Sequence, residues 1–356
     1  MTRPALDEVE VTVIGPSYGE SVLVHLGDDH WIIVDSVARQ GQTRPAAIEY
    51  LHSIGVNPQH AVKLVVVTHW HDDHIRGIAN TVQICAAATV CVPSSFTGSE
   101  FLSFLAAHAD PLASSFGTGV DELRQVFETM RTRAENRLGL ADTRLLQIPK
   151  HAVSHQCHVE IWSLSPSAFQ VTESLGKIAK LIPGFGKTKR RAVSTAENDH
   201  SIALWISIGD ECILLGGDLE ETPDARAGWS AVVASTARPQ QKASVFKVPH
   251  HGSETGHNEN VWTDMLHADP QAILTPWNRA GKLPSPADIQ RLEARTKHVH
   301  LTAPPADLSR VKHNHEVEKL LRDFGIRTYR EPREVGIVRA RKKLGAADWV
   351  VERMAS

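Results

Sequence analysis

"VVVTHWHDDHIRG", residues 65–77, puts three histidines and two aspartates inside six positions, directly after an apolar run. Leu64–Val67 reads as a short buried strand, and Thr68 opens the turn that leaves it. In an extended segment alternate side chains share a face, so His69 and His71 point the same way with Trp70 opposed. Two imidazoles then converge on one point. Asp73 and His74 follow where the chain turns into a helix, and they reach a second point a few ångströms away. That is a two-metal arrangement, whereas surface imidazoles followed by a polar helix start would have to produce the grouping by accident.

Working outward, 356 residues with 42% hydrophobic content can bury one large α/β core, or one core with a smaller appendage. A net charge of −3 gives no global attraction for nucleic acid, so any such case rests on local patches. The start, "MTRPALDEVEVTVIG", has no apolar segment after its single Arg, and no run reaches the roughly 20 apolar residues of a membrane span. Cys85, Cys91, Cys157 and Cys212 lie far apart and read as reduced packing residues. A cytoplasmic protein with no membrane association is the expectation.

"EVEVTVIG" and "SVLVHLGDDHWIIVDS" read as three strands, the last two joined at Gly27-Asp28-Asp29. "TRPAAIEYLHSIG" has helical spacing and a glycine stop before the histidine-bearing strand, and "ATVCVPSS" is another strand after it. "EFLSFLAAHA" and "VDELRQVFETMRTRAENRLGL" read as amphipathic helices. With the basic, Pro- and Gly-broken stretch that follows "HVEIWSLSPS", they make a helical and basic-loop insertion over about residues 97–195. Lys177, Lys180, Lys187, Lys189, Arg190 and Arg191 form the densest positive run. Lys187, Lys189 and Arg190 are its candidate phosphate contacts, against the alternative of a solvated loop. "GFGK" within it lacks the spacing of a P-loop. "ENDHSIALWISIGDECILLGGDLE" holds two strands about Gly209-Asp210, and "SVFKVPHHGSETG" a third that ends in His250 and His251. From residue 304 to 356, "NHEVEKLLRDFGIRTYR" reads as a helix and "VGIVRARKKLGAADWVVERM" as one or two edge strands, with Arg339–Lys343 a solvated strand or turn.

Thr68, His69, His71, Asp73, His74 and Gly77 spell T-H-x-H-x-D-H-x-x-G, and the chain resembles the metallo-β-lactamase superfamily. The resemblance implies a four-layer αββα sandwich over residues 1–303 with the helical insertion, and residues 304–356 packed on the same domain. It implies two divalent metals, His69 and His71 holding one and Asp73 and His74 the other. Asp35, at the end of "WIIVD", matches the acidic position that orients a ligand histidine, a role that fixes the imidazole's tautomer. Asp218 matches the bridging aspartate, and His251 the last ligand of the second metal, with neighbouring His250 as a substrate or supporting contact. The third ligand of the first metal normally precedes the strand leading to Asp218. That place carries Glu197, Asn198, Asp199 and His200, so either His200 or Asn198 fills it. This departure, with Lys247-x-Pro249-His250-His251-Gly252-Ser253 and Asn278, is similar to the hydrolase domain of the DNA-uptake competence protein ComEC and its soluble relatives.

Two divalent ions lower the pKa of a shared water, so hydrolysis would use a metal-bound hydroxide and needs no serine nucleophile; Ser253 is a loop hydrogen-bonder or substrate contact. Histidine and carboxylate ligands suit zinc, and manganese where oxygen replaces a histidine. Asp73, Asp35 and His250 are the residues expected to serve the reaction directly. The leading expectation is a metal-dependent phosphodiesterase or nuclease acting on single-stranded or small nucleic acid. A second is hydrolysis of a small phosphoester in a pocket lined by Trp70, Trp205 and Trp277. A third is a binding or regulatory subunit with weakened metal chemistry, which leaves room for a protein partner.

Overall fold

Alternation along each strand sorts the apolar side chains into layers. In the computed structural model, which describes residues 1–15, 19–38, 44–108, 119–150, 157–182, 198–278, 282–305, 316–317 and 336–355, two sheets stack face to face. The first takes β1 (Glu8–Ile14), β2 (Ser21–His25), β3 (Trp31–Val34), β4 (Val62–Val66), β5 (Thr89–Pro93) and β6 (Asn136–Gly139) in chain order. The second takes β7 (Thr143–Ile148), β8 (Val159–Ser163), β9 (Leu204–Ile208), β10 (Glu211–Leu215), β11 (Ala243–Lys247), β12 (Leu266–Leu274) and β13 (Val299–Leu301). The chain then returns to the first sheet, where β14 (Gly336–Lys343) pairs with β1 and β15 (Val350–Ala355) pairs with β14. Each sheet is antiparallel on one side and parallel on the other, with β3 to β6 and β10 to β13 the parallel runs.

Parallel pairing requires crossovers, and these carry most of the helices. α1 (Ala46–Ser53) and α2 (Pro58–Ala61) join β3 to β4; α3 (Asp72–Ile75) and α4 (Ile78–Ile84) join β4 to β5. α5 (Ser99–His108) and α6 (Gly119–Met130) join β5 to β6, and α7 (Ala168–Ala179) lies between β8 and β9. α8 (Gly228–Ala234) and α9 (Pro286–Glu293) serve the second sheet. On β3 and β4, Ile32, Leu64 and Val66 face the other sheet, where Ile206, Ile213 and Val245 meet them. Ile33, Val65 and Val67 face outward to helical residues such as Leu51, Ile78 and Leu123. Trp205, Leu214 and Phe246 do the same on the second sheet, against Trp229 and Leu292. The result is the expected αββα sandwich. Full burial of each such side chain contributes about 1.5–3 kcal/mol before entropy is counted.

Three sequence expectations need adjustment. The helical pattern read over residues 120–140 stops at Met130, because the Arg133 guanidinium donates to the carbonyls of Cys85 (3.0 Å) and Ala86 (3.1 Å) just past α4 and turns the chain back into β6. Among its described residues, the stretch from 97 to 195 therefore contains three strands, two of which, β6 and β7, are sheet edges. Arg339–Lys343 is a strand, as read, but only Lys343 is solvated: the run lies in β14, between β1 and β15. There Arg341 pairs with the fully buried Glu10 (2.5 Å), and Lys342 crosses to Glu211 of the second sheet (2.6 Å). The helix read over "NHEVEKLLRDFGIRTYR" falls, apart from residues 316–317, outside the described residues, as does the basic run Lys187, Lys189 and Arg190. Among the described residues no helix is long and apolar enough to cross a membrane.

Candidate metal centre

β3, β4, β10 and β11 all end at the same rim, and each is followed directly by a group of the candidate site. This is the usual ligand-binding place in parallel α/β sheets, at the carboxyl ends of the strands. Asp35 leaves β3 in a left-handed conformation (φ 59°), a strained geometry for a residue with a Cβ. Its buried carboxylate accepts from the Thr68 amide (2.7 Å) and hydroxyl (2.6 Å), and it faces His74 Nδ1 at 2.7 Å. Since Thr68 gives its proton to Asp35, its oxygen must accept from His69 Nδ1 at 2.9 Å. His251 Nδ1 lies 3.0 Å from the carbonyl of Thr275, which can only accept. One rule covers all three rings: Nδ1 carries the proton, and Nε2 is the nitrogen left to bind something else.

Those Nε2 atoms converge with two carboxylates. Asp73, His74, Asp218 and His251, all buried, each offer a ligand atom within 4.8 Å of the others. His74 Nε2 is 3.3 Å from Asp218 Oδ2, and His251 Nε2 is 3.1 Å from Asp73 Oδ2. His69 Nε2, His74 Nε2, Asp73 Oδ1 and Asp218 Oδ1 are buried without a hydrogen-bond partner. Orphaned acceptors cost roughly 1–3 kcal/mol each, so their concentration at one rim calls for a cation. The donor set fits a divalent ion.

Electrostatics agree. Burial opposes every charge here, yet attraction to the facing imidazoles holds Asp73 and Asp218 well below the usual carboxylate range. By the same attraction, and against burial, His74 and His251 are raised above the ordinary imidazole value by Asp218 and Asp73. Burial and the neighbouring His74 push His69 far down, so it stands neutral and ready to ligate. For Asp35 burial wins, and its carboxyl is raised despite His74 and Thr68.

Helix α3 brings Asp73 and His74 into place, with His71 just before its first turn. The His71 ring lies 5.8 Å from that of His69, its Nδ1 is 3.5 Å from Asp73 Oδ1, and its side chain is 46% exposed, open to a ligand from solvent. His250, His251 and Gly252 are three successive left-handed residues, with φ of 47°, 53° and 80°. This turn sorts the two neighbours. His251 aims into the cluster, while His250 stays at the rim, 2.8 Å from Thr255 Oγ1 and 3.4 Å from Glu220 Oε1. Ser253 hydrogen-bonds within its own loop, to Thr255.

His200 is not among the clustered ligands: its Nδ1 meets Ser95 Oγ (2.6 Å), its ring packs near Phe96 and Phe101, and its buried Nε2 has no partner. Asn198 gives its amide to Glu220 (2.5 Å), and its buried Oδ1 has no partner either. Of the three tryptophans read as pocket walls, Trp70 packs on Phe101 and Phe104, and Trp205 is fully buried in the core. Only Trp277 stands at the site, stacked on His251 at 5.7 Å and 28°.

Two buried residues had no role assigned to them in the sequence reading. Lys247, at the end of β11, pairs with Glu20 and lies 3.6 Å from Asp218 Oδ1. A lysine closing an apolar strand just before two histidines was the available signal. Ser201 also belongs here, its hydroxyl accepting from the Asp218 amide (2.8 Å).

None of the curated proteins matches the chain in sequence. Among solved structures, it is similar to the metallo-beta-lactamase fold protein YhfI from Bacillus subtilis, at 12% identity and TM-score 0.38, over 83% of this chain and 96% of that one. It is also similar to a class B3 di-zinc metallo-beta-lactamase from an Alaskan soil metagenome, at 15% identity and TM-score 0.31, over 62% of this chain and 65% of that one. Likeness at this level says nothing of substrate. Residues 14–97, the segment from the end of β1 through Asp35 and the histidine cluster, match the family model of the Metallo-beta-lactamase superfamily, and metal-dependent hydrolysis is the activity such a match suggests.

Proposed function

We propose that the chain is a two-metal hydrolase of phosphodiesters, with single-stranded or short nucleic acid as its substrate. The observation that carries this reading is the convergence of Asp73, His74, Asp218 and His251 on one buried point, beside an unpartnered His69 Nε2. These four would hold one divalent ion, zinc or manganese. His69 and His71 would hold the other, with Asp218 shared and Asn198 or His200 as a further ligand. Bound there, such ions lower the pKa of a shared water and offset charge that develops on the phosphoryl oxygens.

The chain's own residues do the rest. Asp35 and Thr68 fix the tautomers of His74 and His69, and the Asp73 carboxylate is an acceptor for a proton at the point of attack. His250, braced by Thr255 and Glu220, is read as the rim contact to a phosphoryl oxygen. Support for a polyanionic substrate is the basic run that includes Lys187, Lys189 and Arg190, since the net charge of −3 gives no general attraction. A cytoplasmic setting suits such a substrate.

The test is elemental analysis together with hydrolysis of single-stranded DNA and RNA by the wild type and by Asp73→Ala. About two ions per chain, with cleavage lost in the variant, supports the reading. Near-zero metal in protein purified without chelator would sink it and favour a binding or regulatory role with a protein partner. A second reading, a small phosphoester, draws on Trp277 stacked against His251, a platform suited to a planar group. Faster turnover of small phosphodiesters than of oligonucleotides would favour it.

A further inference from the structure

An ion pair closed to solvent lies behind the clustered ligands, and the chemistry proposed above makes no use of it. Lys247 is 1% exposed and Glu20 2%. Burying both charges is costly, and a matched apolar pair would serve stability as well or better. The contacts of the pair point to another use.

Glu20 joins Lys247 through one carboxylate oxygen and the Thr275 hydroxyl through the other, while its backbone amide donates to the carbonyl of Asp73 at 2.9 Å. Thr275 in turn receives His251 Nδ1 on its carbonyl (3.0 Å). Lys247 donates to the carbonyl of Gly217 (2.8 Å) and stands 3.6 Å from Asp218 Oδ1. That leaves Asp218 Oδ2 as the oxygen facing His74 (3.3 Å) and His251 (3.6 Å). Three ligands carried by three separate segments, Asp73, Asp218 and His251, thus lead back to one pair.

Resting on the metal reading of the site, we infer that Glu20 and Lys247 are its positioning residues. They hold the three ligands in one register, and the ammonium group offsets one of the negative charges of Asp35, Asp73, Asp218 and Glu20. Outer partners of this kind change metal affinity by about 10–100-fold when removed.

The experiment titrates metal-free protein with Zn²⁺ against a chromophoric chelator and records melting in EDTA, for wild type, Glu20→Gln, Lys247→Arg, and the double variant Glu20→Gln/Lys247→Met. The double variant removes both charges together and so leaves no uncompensated ion in the core. It is expected to melt near the wild type in EDTA and to bind Zn²⁺ about 10–100-fold more weakly, a change that a purely structural pair would not produce. Zn²⁺ binding as tight as wild type in the double variant would overturn the inference. If the double variant does not fold, Glu20→Gln and Lys247→Arg give the same comparison, and unweakened binding in both overturns it equally. A wild type that takes up no Zn²⁺ would instead remove the metal reading, and the inference with it.

Discussion

His74 is held by Asp35 through a contact of 2.7 Å between Nδ1 and Oδ2, buried at both ends. Because a carboxylate can only accept there, the ring is fixed with its Nε2 lone pair facing Asp73 and Asp218. Asp35→Asn puts an amide in that place and can present a donor to Nδ1, which drives the proton to Nε2. The expected result is a loss of about 10–100-fold in Zn²⁺ affinity with the fold retained. Unchanged affinity by competition titration would contradict the tautomer argument.

Cation uptake should release protons. His74 and His251 are raised above the usual imidazole value, because Asp218 and Asp73 outweigh the effect of burial, so a cation at Nε2 competes there with a proton. Metal must displace it, and affinity should fall as pH is lowered from a point above the ordinary imidazole pKa of about 6.5. Calorimetric titration in buffers of different ionisation enthalpy measures the protons released. A count of zero at neutral pH would refute the prediction.

Gly19 presses directly against the turn that carries Asp73. A Cβ at this position would fall 1.6 Å from the carbonyl oxygen of Asp73, on a backbone with φ of +128°. Gly19→Ala must therefore move either the segment leading into β2 or helix α3. It should cost roughly 3 kcal/mol or more, at the severe end of single substitutions, and lower metal content in whatever protein still folds. Denaturant unfolding of the variant gives the number, and a cost below 1 kcal/mol would show that the turn gives way easily.

Glu122 of α6 accepts from the amides of Gly77 (3.0 Å) and Ala79 (2.9 Å), capping α4 from outside. Gly77 itself is left-handed, at φ 83°. Glu122→Ala leaves both amides unpaired in a half-buried place, with an expected loss of about 1–3 kcal/mol. A thermal melt without measurable change would mean that water replaces the cap.

How far the site was legible follows from how its parts are spaced. His69, His71, Asp73 and His74 stand together because one strand end and one short helix carry them, so local geometry sufficed. Asp218 was readable only behind the histidine motif, through the resemblance, since a Gly-Asp after a strand is weak by itself. His250 and His251 could not be separated by pattern, since three successive left-handed residues decide which one enters. Glu20 and Lys247 could not be read as a pair, because their pairing exists only once the two sheets are stacked. The same holds for β14, whose arginines read as solvated until β1 supplies Glu10 beside them. The layered fold itself came from the resemblance to the metallo-β-lactamase superfamily, supported by the order of strands and ligands.

Tyr50 offers a test of the core that does not involve the candidate metal centre. Its hydroxyl donates to the buried Glu10 at 2.5 Å, and burial together with Glu10 pushes its pKa from 10.0 to about 12. The folded value is raised, so the contribution of Tyr50 is fully present below pH 10 and is lost as pH rises through about 12. A shift of this size corresponds to roughly 2–3 kcal/mol. With three tyrosines in the chain, absorbance titration should resolve one late step, and Tyr50→Phe should remove it. Over the same range the stability advantage of wild type over Tyr50→Phe should shrink; an advantage that grows with pH would reverse the sign and place the phenolate, rather than the phenol, in the core.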